Sequence, residues 1–285
     1  MAKVLDGKAA AAEVRAQVAT QVAELRERGV PVRLDVILVG EDPASVTYVS
    51  SKERDSAEVG IASRVHRFPA DVSQKELAAL VERLNVDPAV SGFFIQLPLP
   101  EELDSTALIS RLDPAKDVDG LSPESVGRLA LGLPSLLPCT PHGIIRLLQR
   151  NGVVLAGKEA VVVGRSNLVG KPLAQLLLRE NATLTVCHSR TRNLPEVASR
   201  ADLLVVAAGQ REMVGAEHVK EGAVVVDVGI HRREGGLVGD VKFDEVEPKV
   251  AWISPVPGGV GPMTRAMLLH NALQAARMAS EAALR

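Results

Sequence analysis

Apolar positions along the chain alternate between two periods, and the order of that alternation predicts the fold. After a short strand candidate at residues 2–5, Val14, Val18, Val22 and Leu25 fall at helical spacing until Gly29, with Pro31 just beyond. Val32–Val39 then predicts a buried strand. Asp42-Pro43 supplies an N-cap followed by proline at the first helical position, opening a helix that carries Tyr48 and Lys52 and stops at Gly60. Residues 61–68 predict a second strand, Ser73 with Glu76 a capping box before a third helix, and Ser91–Leu97 a third strand. This strand runs into QLPLP at 96–100, where two prolines force the chain out of the sheet. Strands alternating with helices in this way predict a parallel α/β layer.

Residues 113–139 are rich in Asp, Pro, Gly and Ser and hold only a short apolar helix candidate, which places a domain boundary within or just after them. Thr140-Pro141 caps a helix ending near Asn151-Gly152, and strands follow at 159–163, 182–187, 202–207, 223–228 and 250–253. Val260–Leu284 predicts a long terminal helix. The expected organisation is a first α/β domain over 1–139, a Rossmann-like domain over 140–262, and a last helix, 263–285, packing back on the first domain.

At 285 residues the length alone suggests about two domains, and 46% hydrophobic residues give ample core material. Thirty-three basic residues against 35 acidic ones leave a net charge of −2, too balanced for a nucleic-acid or membrane-surface protein, so small molecules are the expected partners. No apolar run approaches a membrane span, and Asp6, Lys8, Glu13 and Arg15 interrupt the start of the chain, so a soluble cytoplasmic protein is expected. Cys139 and Cys187 are too few for a disulfide framework or a four-ligand zinc set, and the six histidines show no metal spacing. Tyr48 is the only tyrosine.

Candidate chemistry gathers in six places. The strand at 160–163 runs into GRSNLVGKP (164–172) and then an apolar helix; Gly164, Arg165 and Ser166 open a turn whose backbone N–H groups and helix dipole suit a phosphate. Ser166 stands where the usual fingerprint has its second glycine, and a ligand-free strand-to-helix turn is the competing reading. The next strand ends at Cys187-His188-Ser189-Arg190-Thr191 with no carboxylate for a ribose 2′-hydroxyl; Ser189 and Arg190 would welcome a 2′-phosphate, favouring NADP over NAD unless Arg190 is a solvated surface cation. Tyr48 and Lys52, four residues apart, share a helix face, as a functional pair or an amphipathic stripe. Gln96 sits at the carboxyl end of a strand, the side where α/β sheets bind ligands. In KDVDG (116–120) either Asp117 or Asp119 could accept from the edge of a planar heterocycle, or cap a turn. PVPGGVGPMT (255–264) is backbone able to approach or move over a ligand.

Taken together, the Tyr48-to-Lys52 pair, QLPLP, KDVDG, PCTP at 138–141, GRSNLVGKP and PVPGGVGPMT closely resemble the bifunctional methylenetetrahydrofolate dehydrogenase/methenyltetrahydrofolate cyclohydrolase family over nearly the whole chain. The resemblance implies two α/β domains with a cleft between them, a homodimer, NADP and a tetrahydrofolate substrate. It implies that Lys52 is the catalytic lysine, Tyr48 stacks on the pterin, Gln96 stands beside the lysine with Leu97 at the substrate, and Asp119 holds the pterin. It also places Gly164, Arg165, Ser166, Ser189, Arg190 and Ile230 at the cofactor, and Pro257, Gly258, Gly259, Val260 and Gly261 at the folate. Two positions depart from the family: His142 stands where many members have lysine after PCTP, and Arg190 replaces a lysine after Ser189 with charge retained. The rival readings are an NADP-dependent reductase of a small carbonyl compound, similar to shikimate dehydrogenases, and a non-enzymatic NADP-sensing protein.

Overall fold

A computed structural model describes residues 1–283. In chain order its elements are β1 (Lys3–Val4), α1 (Gly7–Glu27), β2 (Arg33–Val39), α2 (Pro43–Glu58), β3 (Ala62–Phe68), α3 (Gln74–Val86), β4 (Gly92–Ile95), α4 (Ser105–Ile109), α5 (Pro123–Ala130) and α6 (Cys139–Arg150). There follow β5 (Glu159–Val163), α7 (Gly170–Arg179), β6 (Thr183–Cys187), α8 (Leu194–Ala198), β7 (Leu203–Val206), β8 (Val224–Asp227), β9 (His231–Arg233), β10 (Gly236–Val238), α9 (Phe243–Val246), β11 (Trp252–Ile253) and α10 (Val260–Ala283). The local signals act as their chemistry dictates: the Asp42 carboxylate accepts the Ser45 N–H at 2.8 Å, and the Ser73 hydroxyl accepts the Glu76 N–H at 3.2 Å. The expected helix end at Leu284 lies outside the described residues.

The chain divides into two compact units. One, residues 13–139 with the chain from Arg265 onward, holds a three-stranded parallel sheet in the order β3-β2-β4. Ile37, Val39, Phe93 and Ile95 of this sheet pack against Leu77, Leu80, Val81 and Leu84 of α3 and Leu108 of α4. Arg33 and Asp35 interrupt the apolar pattern of β2, yet Asp35 is fully buried. Its carboxylate accepts Arg33 Nε and Nη2, both at 2.7 Å, and His66 Nε2 at 2.7 Å from the adjacent strand, so the charge is paired where it is buried.

The other unit, residues 1–12 with 140–264, holds a six-stranded parallel sheet in the order β1-β11-β8-β7-β5-β6. Val161, Val163, Leu204, Val206 and Val225 form its core with Ala198, Val219 and Val246. Residues 1–12, expected with the first domain, belong here instead. The cause is pairing: Lys3 and Val4 lie in register with Trp252 and Ile253, and the Ala2 N–H donates to Glu247 Oε1 at 2.9 Å. The antiparallel hairpin β9–β10 was absent from the sequence expectation, because two three-residue strands carry too little periodicity to be read. Among the described residues, no helix is long and apolar enough to cross a membrane.

Candidate active site

Both sheets reverse their strand order once, and both candidate sites lie at the carboxyl ends where they do so. In the three-stranded sheet β3 lies on one side of β2 and β4 on the other, which opens a crevice above β2 and β4. α2 leaves from the end of β2, and Gln96 follows β4, its N–H donating to Ile37 O at 2.9 Å. Lys52, on the inner face of α2, is 6% exposed, and its Nζ donates to Gln96 Oε1 at 3.2 Å. The same ammonium stands 3.9 Å from the Phe94 ring centroid and 4.7 Å from that of Tyr48. Gln96 is fixed in orientation because its Nε2 donates to Leu97 O at 2.7 Å, which turns Oε1 toward the lysine.

The two aspartates of KDVDG divide the two readings between them. Asp117 is the turn cap: its carboxylate accepts the N–H groups of Gly120 at 3.0 Å and Ser122 at 2.7 Å and the Ser125 hydroxyl at 2.8 Å. Asp119 is partly buried and interacts electrostatically with Lys52 and Cys139. Burial pushes its carboxyl pKa up, while Lys52 pulls it down. For Lys52 burial is again the largest influence and lowers its pKa, with Asp119 pulling it back up. Tyr48 is pushed up by burial and then by Asp119, so its phenol stays protonated and cannot serve as a base. The Cys139 thiol, held well above its ordinary range by burial and by Asp119, donates to Val118 O at 3.3 Å. These groups form a desolvated amine among neutral partners, with one carboxylate to balance it.

Two participants carried no sequence signal. Phe94 reads as an ordinary strand residue. Asn271 reads as a polar residue on a helix, yet it is 2% exposed and its Nδ2 donates to Val118 O at 2.8 Å and Leu137 O at 2.7 Å. That bridge holds the backbone next to Asp119.

In the six-stranded sheet β6 and β7 flank β5, so the crevice opens beyond β5 and β7. A cavity of about 450 Å³ lies there, lined by Gly164, Arg165, Ser166, His188, Ser189 and Thr191 and, from the β7 side, by Ala207, Ala208, Gln210 and Met213. Gly164 has φ +127°, and a Cβ there would strike the Ala207 carbonyl; one on Gly170 would strike the Gly164 carbonyl. The first turn of α7 is thereby drawn against the end of β5, and no side chain caps it. The 188–191 turn is closed by the His188 N–H donating to Thr191 Oγ1 at 2.9 Å. Among the described residues neither Arg165 nor Arg190 has a carboxylate within ion-pair distance, and both are exposed. A glycine-tight turn at an uncapped helix start, with two unpaired guanidinium groups nearby, fits a phosphorylated dinucleotide.

Of the 255–261 segment, Gly259 N–H donates to Pro255 O at 2.9 Å, and Lys8 N–H to Gly258 O at 3.1 Å. Val260, buried, opens α10, and Pro257 is exposed. A methyl placed on Gly261 would lie 3.8 Å from Ile230 Cδ1, so the cofactor and folate candidates of this unit adjoin.

These two crevices correspond to two family models. The tetrahydrofolate dehydrogenase/cyclohydrolase catalytic domain matches residues 5–119, and the NAD(P)-binding domain of the same family matches residues 138–280. The chain belongs to the tetrahydrofolate dehydrogenase/cyclohydrolase family. A relative named bifunctional protein FolD 1, from Rubrobacter xylanophilus, is 73% identical over 99% of this chain and 100% of its own. The crystal structure of the bifunctional FolD enzyme from Campylobacter jejuni superposes with a TM-score of 0.96 at 45% identity, covering 98% of this chain and 99% of that one. The Trypanosoma brucei dehydrogenase-cyclohydrolase, solved with NADP and an inhibitor, gives 0.93 at 38% identity over 98% of both chains. Family membership favours the folate reading over the carbonyl-reductase and sensor readings.

Proposed function

We propose that the protein oxidises 5,10-methylenetetrahydrofolate to the 5,10-methenyl form with NADP and hydrolyses that product to 10-formyltetrahydrofolate. The observation that carries this reading is Lys52: a buried amine of lowered pKa, directed by Gln96 Oε1, beside a carboxylate on a separate loop. NADP, held by the turn at Gly164–Ser166 and by Ser189, Arg190 and Ile230, supplies the hydride acceptor. For this step the chain contributes orientation: the Tyr48 ring offers a stacking face for the pterin, and Asp119 accepts from its N–H edge. Loss of hydride leaves a delocalised methenyl cation, which further disfavours a protonated Lys52. In its neutral form Lys52 takes a proton from the water that adds to the methenyl carbon, and it returns that proton to N5 as the C–N5 bond of the resulting carbinolamine breaks and the hydroxyl proton leaves to solvent; Gln96 holds the amine in line for these transfers. Leu97 and the Pro257–Gly261 segment contribute contacts to the folate.

The resemblance of motifs further supports a homodimer, which light scattering of the purified chain tests; cytoplasmic residence belongs to the same reading. The deciding experiment for the function follows the absorbance of methenyltetrahydrofolate as it forms from methylenetetrahydrofolate and NADP, and then its decay. Failure to form it with either nicotinamide cofactor refutes the reading.

A further inference from the structure

Two buried carboxylates beyond the dinucleotide cavity remain unexplained by either reaction. Asp227, at the end of β8, is 4% exposed, and Asp240, just after the β9–β10 hairpin, is 0% exposed. Asp227 Oδ1 accepts the N–H groups of Gly229 and Asp240, each at 2.9 Å, and its Oδ2 accepts that of Val241 at 2.9 Å. The Asp240 carboxylate takes a different set of donors. Its Oδ2 accepts two consecutive backbone N–H groups, Ala208 at 2.7 Å and Gly209 at 2.8 Å. Its Oδ1 accepts from His231 Nε2 at 2.7 Å.

Ala208 lines the dinucleotide cavity, and His231 directly follows Ile230. The turn after β7 therefore takes its position from a single oxygen atom more than thirty residues away in sequence. The two lone pairs of one carboxylate oxygen serve the two N–H donors, and the imidazole on the other oxygen restrains the carboxylate against rotation. Neither Asp240 nor His231 lines the cavity, so any effect on the ligand passes through the turn and through Ile230.

We propose that the His231–Asp240 pair is a positioning element for the dinucleotide, fixing the Ala208–Gly209 turn, whose Ala208 lines the cavity, and the backbone next to Ile230. The proposal rests on the assignment of that cavity to NADP. The anchor on the folate side is separate: Asp227 binds the backbone N–H of residue 240, and its own N–H donates to Ser254 Oγ at 2.8 Å, immediately before the 255–261 segment. Truncating the side chain at 240 leaves both of these hydrogen bonds in place.

The test compares Asp240→Ala, Asp240→Asn and His231→Ala in the full chain by two readouts. The first is the NADP dissociation constant from titration, and the second is cyclohydrolase activity on methenyltetrahydrofolate without NADP. Asp240→Ala leaves two N–H groups without an acceptor, and the constant should rise about tenfold or more. Asp240→Asn keeps a carbonyl oxygen for both donors and should stay within about threefold of the parent, while His231→Ala should cost about threefold to tenfold. Cyclohydrolase activity should stay within about threefold in all three, a split that general loss of structure would not produce. Parent-like NADP affinity in both alanine variants overturns the proposal, and so does a parallel fall of affinity and cyclohydrolase activity. Should Asp240→Ala fail to fold, His231→Ala carries the test alone, because His231 is half-buried on a short hairpin. Absence of NADP binding in the parent would instead refute the cofactor assignment itself.

Discussion

Replacing Lys52 by Met separates the two reactions. Methionine keeps most of the side-chain length and its contact with Phe94 and Tyr48 while removing the amine. Hydride transfer breaks a C–H bond and asks for no base, whereas addition of water does. Positioned proton-transfer groups contribute about 10²–10⁴-fold, or about 2.7–5.4 kcal/mol of barrier, and cyclohydrolase activity should fall by that much. Dehydrogenase activity should fall by less than about tenfold, the cost of leaving Gln96 Oε1 without its donor. Methenyltetrahydrofolate should accumulate during turnover, visible in the same absorbance assay. Stability carries an independent signature. The folded pKa of Lys52 lies below its ordinary 10.5, so burying this amine destabilises the fold at neutral pH and ceases to do so as pH rises toward 10.5. The Met variant should accordingly gain stability relative to the parent near pH 7 and lose that advantage in alkaline urea titrations. Equal loss of both activities in a folded, ligand-binding variant would make Lys52 a substrate anchor. Surviving hydrolysis would refute its role in proton transfer outright.

Asp119 pulls the Lys52 pKa up, so Asp119→Asn should weaken folate binding and also move the acid limb of the cyclohydrolase pH profile to lower pH, with NADP affinity unchanged; an unmoved limb would break the coupling. Arg190→Glu should lower kcat/KM with NADP about tenfold or more while leaving the NAD value nearly unaltered, and equal effects on both cofactors would return Arg190 to the role of a solvated cation. Gly170→Ala drives a methyl into the Gly164 carbonyl, at a cost of about 1–3 kcal/mol, and should depress NADP affinity together with the melting temperature; parent-like values for both would mean the turn has room to yield. The Asp227 carboxyl is pushed up to about 6 by burial, against three backbone N–H donors and with help from Asp240. Its contribution to stability is full below the unfolded value of 3.8 and is lost as pH rises through about 6, so between pH 5 and 7.5 the parent should lose about 1.4 kcal/mol relative to Asp227→Asn in urea titrations.

The sequence displays the fold because its signals are local and agree with one another. Asp42 and Ser73 cap the helices their spacing announces, the prolines of QLPLP end β4, and the glycines of GRSNLVGKP sit where backbone meets backbone. What it withholds depends on contacts between distant segments. Nothing in the first twelve residues announces a pairing with Trp252 and Ile253, and nothing around Asn271 announces that its amide will hold the carbonyls of Val118 and Leu137.

The two aspartates of KDVDG show where the limit falls. Two residues apart and chemically identical, each was an equally good turn cap or ligand group from sequence. The turn after Phe93's neighbour Asp117 gives that residue's carboxylate two backbone N–H donors and a hydroxyl. Asp119, beyond the turn, has no such set and faces Lys52 and Cys139 instead. The capped aspartate fixes the backbone that aims the other one, so the turn-cap reading holds for Asp117 and the ligand reading is the one proposed for Asp119. The same division recurs in the second unit, where Asp227 ties backbone and Asp240 holds the turn at the cavity. In both units a buried carboxylate that accepts backbone N–H groups sets the local geometry, and a second aspartate nearby is the one proposed to meet the ligand or the loop beside it.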